Sequence, residues 1–163
     1  MILPRAVRTG LGVAVAAALA VAGAPPALGA SPTKGAGYEY ESFGARSAAL
    51  SFRVSRSGRT VRDVFMLIEL SCSNGRRGFA TLLDVDRPWR LRVARDGTFA
   101  GTFAASEEFL DPFATSEAYS LSGAFARRGR LARLVFRARH VGEAGTVCDT
   151  GERRVTARRK PRG

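Results

Sequence analysis

Residues 132–140 read ARLVFRARH, and they sort by parity. Ala132, Leu134, Phe136 and Ala138 fall on one side, Arg133, Arg137 and Arg139 on the other. A repeat of two residues is that of a pleated strand with one face against a core and one in water. The pattern recurs along the chain. ALSFRVS (49–55) sets Leu50, Phe52 and Val54 against Ser51, Arg53 and Ser55. WRLRVA (89–94) sets Trp89, Leu91 and Val93 against Arg90 and Arg92, and YSLSGAF (119–125) puts Tyr119, Leu121 and Phe125 on one face.

Between these runs stand the turn signals SRSGRT, SNGRRG, ARDGTF, ARRGRL and CDTGER. Asp96-Gly97 is the strongest, since two positive-φ positions suit a tight hairpin. The spacing predicts an all-β chain, an antiparallel sandwich or barrel of about 8–10 strands. VRDVFMLIEL (61–70) departs from the alternation, being continuously apolar from Val64 to Ile68. It reads as a central strand covered on both faces or as a short helix. The strand is favoured because Cys72 continues the face of Val64, Met66, Ile68 and Leu70. ASEEFLDPFATSEA (105–118) breaks the pattern and reads as one long loop with a helical turn near 105–117, stopped by Pro112.

The first thirty residues carry Arg5 and Arg8, then an apolar run from Leu11 to Ala24, then Ala27-Leu28-Gly29. A basic start, an apolar middle and a small-x-small end are the marks of a secretory signal peptide, with cleavage near residue 29 or 30. The run stops short of the roughly 20 apolar residues that cross a bilayer. The expected organisation is a signal peptide (1–30), a flexible leader (31–37), one β-domain (38–157) and a basic tail (158–163). The mature part would be secreted or attached to the cell envelope, with no transmembrane segment, and is expected to be a monomer.

Of the 163 residues 26 are basic and 14 acidic, a net charge of +12. Only Lys34 and Lys160 are lysines, Gln is absent and Asn74 is the sole asparagine. That bias points to a GC-rich genome, so part of the charge reflects codon usage. What remains favours solubility and attraction to anionic surfaces without specifying a partner.

The two cysteines, Cys72 and Cys148, are 76 positions apart. Outside the cytoplasm such a pair is most simply a disulfide. A zinc site needs about four ligands, and the chain adds only His140 to the two thiols. A redox site would want Cys-x-x-Cys, which is missing. A bridge over this loop contributes roughly 4 kcal/mol in the chain-entropy model.

The order SFRVSRSGRTV, CSNGR, VARDGTFAGTF, LSGAFARRGRL and CDTGERRVTARR resembles a family of exported, disulfide-containing β-proteins of unknown function from GC-rich bacteria. The resemblance covers nearly the whole mature chain. It departs at Ser57, where the family pattern has Asp, at Val155, where Trp is common, and in the acidic-aromatic loop from Glu107 to Glu117. It implies a disulfide-clasped β-domain and carries no catalytic residue over.

Catalytic chemistry is thinly represented. There is no Gly-x-Ser-x-Gly elbow, and His140 shares parity with Leu134 and Phe136, at the margin of the core. Glu107, Glu108, Asp111 and Glu117 crowd one segment beside Phe109, Phe113 and Tyr119. Paired carboxylates of this kind cleave glycosides, which makes an extracellular polysaccharide hydrolase or lyase the alternative reading. An acidic, solvated loop is the plainer one. The acidic segment lacks calcium-loop spacing, and Asp84 and Asp86, two apart, read as a strand end rather than a metal site. No catalytic residue, metal ligand or cofactor is assigned.

The first reading is therefore an exported, non-catalytic β-domain that binds an anionic cell-wall or extracellular polymer, with no specific nucleic acid as partner. The candidate contacts are Arg90, Arg92, Arg133, Arg137, Arg139, Arg153, Arg154, Arg158, Arg159 and Lys160. If their strands are neighbours, the wet-face arginines form one stripe joined by the basic tail. Aromatic interleaving, the mark of base stacking, is absent there.

Overall fold

The computed structural model describes residues 29–44, 47–83, 89–104, 114–142 and 145–161. Among these the strands are β1 (Gly37–Ser42), β2 (Ala48–Val54), β3 (Thr60–Cys72), β4 (Arg77–Leu83), β5 (Leu91–Arg92), β6 (Thr98–Ala104), β7 (Ala114–Ala126), β8 (Leu131–Gly142), β9 (Val147–Asp149) and β10 (Arg153–Arg159), and of the alternating run 89–94 only Leu91 and Arg92 are strand. Every pairing is antiparallel. Six strands close on themselves in the order β10, β1, β2, β3, β9, β8 and back to β10, forming a barrel. β7 and β6 extend the sheet from β8, while β4 and β5 pair with β3.

The parity expected at 132–140 is the parity observed. Ala132, Leu134, Phe136 and Ala138 are buried, and Arg133, Arg137 and Arg139 are exposed. β3 is a strand and not a helix, but it is covered on one face only. Val64, Met66, Ile68 and Leu70 are buried, whereas Leu67 is 37% exposed and Phe79, opposite Glu69 on β4, is 60% exposed. The run is apolar throughout for want of a polar residue on its wet face, not because a second layer covers it. A bulge also shifts its phase. Ser51 pairs with Phe65 but Arg53 pairs with Arg62, so β3 carries one extra residue, and Asp63 turns to φ 52° to absorb it. The bulge keeps both Val61 and Val64 inside.

The core centres on an aromatic cluster. Tyr38 stacks on Phe52 at 5.1 Å, and Phe125 lies 5.3 Å from both Tyr38 and Phe99. Burying each such ring contributes about 1.5–3 kcal/mol. Gly123 leaves the room they need, since a Cβ there would sit 2.7 Å from the side chains of both Leu134 and Phe99.

Two local expectations change. The Asp96-Gly97 hairpin has positive φ at Gly97 (78°) but not at Asp96. It is a three-residue loop closed by Ala94 N–H to Thr98 O and Gly97 N–H to Ala94 O, and Asp96 accepts bonds from the Thr98 N–H and hydroxyl. Those two bonds hold the Asp96 carboxyl below the ordinary aspartate value. The segment read as a loop to residue 117 gives way to β7 at Ala114, so Glu117 stands in a strand. Glu107, Glu108 and Asp111 lie outside the described residues, as do Asp84, Asp86 and the signal-like residues 1–28. No helix among the described residues is long and apolar enough to cross a membrane.

The segment expected as a leader is bonded to the barrel. Gly35 N–H donates to Ser55 O and Ala36 O accepts from Val54 N–H, while Ala30, the last residue of the expected signal peptide, donates its N–H to Phe125 O. At the other terminus Arg158 and Arg159 belong to β10, and Lys160 N–H donates to Gly37 O.

Candidate functional site

Among the described residues a dense group of positive charge gathers where the β7–β8 hairpin meets the end of β10. The hairpin turns through three consecutive left-handed residues, Arg127 (φ 48°), Arg128 (φ 55°) and Gly129 (φ 75°). Bonds from Gly129 N–H to Ala126 O and from Arg130 N–H to Arg127 O close it. Glycine adopts this geometry freely, but an L-residue with a Cβ gives up about 1–2 kcal/mol. The surroundings hold the turn in place. Tyr38, fully buried, donates its hydroxyl to Gly129 O at 2.6 Å, and Thr33 Oγ1 donates to the same carbonyl at 3.2 Å. Burial raises the Tyr38 hydroxyl above the ordinary tyrosine pKa, against the lowering effect of Thr33 and of the Arg159 charge.

β10 reaches this turn through Arg159 N–H, which donates to Arg130 O at 3.0 Å. The two elements enclose a cleft of about 830 Å³ lined by Arg127, Arg128, Arg130, Arg158 and Arg159 with Leu131 and Thr156. A second hollow of about 670 Å³ shares Arg159 and adds Lys34, Arg53 and Lys160 beside the backbone of residues 33–37. Among the described residues no carboxylate lines either one. Lys160 pairs with Glu39 at 2.7 Å, and Arg159 donates to Thr33 Oγ1. Arg127, Arg128, Arg130 and Arg158 have no acidic partner among the described residues. Five guanidinium groups around one hollow present planar forks of N–H donors, the geometry that matches carboxylate and phosphate oxygens.

The arginines chosen from the sequence do not form one stripe, because β5 pairs with β3 and not with β8. They separate into groups. Arg158, Arg159 and Lys160 belong to the barrel-end hollows. Arg92, Arg133 and Arg154 line a different depression on the outer face of the sheet. Arg137 is committed to Asp149 through Nε (3.0 Å) and Nη2 (2.5 Å), with Arg139 opposite the same aspartate in register. Burial alone would raise the Asp149 carboxyl. The Arg137 and Gly151 hydrogen bonds and the charges of Arg137 and Arg139 together bring it below its ordinary value, and the same contact raises Arg137. Arg90 is exposed ahead of β5 and Arg153 is half-buried in β10; neither lines a hollow.

Arg127, Arg128 and Arg130 were passed over in the sequence because ARRGRL reads as a turn. Three basic residues around one hairpin glycine were the signal that could have singled them out.

The carboxylate reading finds Glu117 engaged. Its Oε1 lies 3.5 Å from His140 Nδ1, and its Oε2 accepts from the Tyr119 hydroxyl at 3.1 Å. None of the three lines a hollow described above. Among the described residues no group of three or more His, Cys, Asp or Glu side chains converges as a metal site would require. Cys72 and Cys148 form a disulfide between directly paired positions of β3 and β9. No family model, curated protein or solved structure matches the chain.

Proposed function

We propose that this chain is an exported, non-catalytic binding domain that holds an anionic polymer of the cell envelope or extracellular space in the barrel-end arginine cleft, and that it belongs to the exported β-family its motifs resemble. One observation carries the reading: five arginines share one hollow and, among the described residues, no carboxylate shares it with them. The left-handed arginines add support. A turn that glycine would make more cheaply keeps Arg127 and Arg128 where their charges meet those of β10. The disulfide is compatible with an extracytoplasmic location, and the signal-like N-terminus points the same way.

The mechanism is electrostatic. A polymer that neutralises the five cleft arginines displaces the counterions around it, so log K falls against log salt with a slope of roughly −4. Binding of the mature, oxidised protein to polyphosphate and to polyglutamate at two salt concentrations tests this. The triple variant R127S/R130S/R158S is expected to bind at least about tenfold more weakly. Affinity indifferent to salt, or unchanged in the variant, would remove the proposal.

A further inference from the structure

A second depression lies away from the barrel end, and its chemistry differs. β10, β8, β7 and β6 run side by side, and the register sets two rows across their outer face: Thr98–Ala124–Arg133–Thr156 and Ala100–Ser122–Val135–Arg154. The centre of the rows is low because Ala100, Ser122 and Ala124 are small, and it is largely apolar. One side rises to Arg133 and Arg154, and Arg92 and the half-buried Tyr40 also line it. The space enclosed is about 680 Å³, within the range of small-molecule sites. Arg154 Nη2 bonds to Glu152 at 2.6 Å. Arg92 and Arg133 have no acidic partner among the described residues.

We infer that this trough binds a free, single-headed anionic amphiphile, an acyl chain or flat ring system bearing one carboxylate, sulfonate or phosphate. The charge pattern selects that occupant. A polyanion strand would leave the apolar floor unused, and a neutral apolar ligand would leave Arg92 and Arg133 facing no counter-charge. An amphiphile meets both: its body covers Ala124 and Val135, and its head accepts N–H donors from Arg133 on the β8 side of the trough. The inference is independent of the polymer reading: the trough shares Thr156 with the barrel-end cleft but none of its basic residues.

The probe is anilinonaphthalene sulfonate, followed by fluorescence on the mature, disulfide-bonded protein and competed with monomeric laurate. Saturable binding of one equivalent is expected, weakened about tenfold by R133S and abolished by Ala124→Trp, which fills the floor. Unfolding temperature and near-ultraviolet dichroism accompany each variant, and where Ala124→Trp does not fold, Val135→Asp substitutes for it by placing a like charge beside the head. R127S/R130S/R158S is expected to leave dye binding intact. The inference fails if no dye binds, if R133S and both floor variants bind it like the parent, if the cleft variant abolishes binding, or if only anionic vesicles and not the monomer compete.

Discussion

The barrel is closed by two short seams, and they are held in different ways. β3 meets β9 through two residue pairs, Ser71 with Asp149 and Cys72 with Cys148. β1 meets β10 through two as well, Tyr38 with Arg159 and Glu39 with Arg158. Ladders this short contribute little by themselves. The first seam is covalent. The second relies on the buried Tyr38, whose ring packs in the aromatic cluster and whose hydroxyl ties β1 to the β7–β8 turn. Their charges differ as well. Around the disulfide seam cations find anions: Arg77 with Glu69 and Arg137 with Asp149. Around the tyrosine seam the arginines outnumber their partners. β8 spans both, pairing with β10 over Leu131–Phe136 and with β9 over Arg139–Val141. One end of the barrel is thus closed by a covalent bond among paired charges, and the other gathers arginines that have no acidic partner among the described residues.

Breaking the covalent seam should have the largest effect. The Cys72→Ser/Cys148→Ser protein is expected to lose about 4 kcal/mol of unfolding free energy, given the length of loop released. Urea unfolding with and without a dithiol reductant measures it. A loss below about 1 kcal/mol would mean that the ladder alone holds that seam.

At the other seam, Tyr38→Phe keeps the ring but leaves the Gly129 carbonyl with only the long Thr33 bond, a cost of about 1–2 kcal/mol. Because the folded pKa of Tyr38 is raised, its contribution is present below the ordinary tyrosine value near 10 and is lost as pH rises through the folded value. The variant should therefore show a weaker alkaline destabilisation than the parent. An identical alkaline limb in both would contradict this.

Arg128→Gly sharpens the contrast between holding and binding. Relief of the left-handed strain is expected to raise stability by up to about 1 kcal/mol, while polyphosphate affinity falls with the lost charge. A gain in stability with no change in affinity would separate the turn from the binding surface.

The smallest effect is expected at Asp149. Its depressed pKa means that it stabilises the fold above the ordinary aspartate range and ceases to as pH falls through the lower folded value, below about pH 4. Asp149→Asn should flatten that acid limb. The cost at neutral pH should stay under about 1 kcal/mol because Arg137 is 44% exposed. Unfolding midpoints at pH 3 and pH 7 supply the comparison.

Much of the scaffold was legible from the chain. Parity at 132–138 and at 50–54 marks which side chains are buried, because the period of a strand is local. The two cysteines marked their own bond, with no other thiol to compete. The apolar stretch at 64–68 misled about its second face, since composition does not say whether a further layer exists. Glu117 was taken for a loop residue because Pro112 hid where the next strand starts. The candidate site was legible only in part. Arg158 and Arg159 stood out as a basic terminus, but Arg127, Arg128 and Arg130 were absorbed into a turn, and no local signal brought the two groups together.

The amino-acid order by itself determined the pleated pattern, the turn glycines and the covalent pairing, because each depends on neighbours within a few positions or on residue scarcity. Tertiary structure alone decided which arginines meet, because that depends on strand order and register between segments far apart in the chain. Arg133 faces Thr156 while Arg158 faces Leu131, two results of one β8–β10 alignment. Ring closure then divided a uniformly basic chain into a paired end, a charged cleft and an apolar trough rimmed by guanidinium groups.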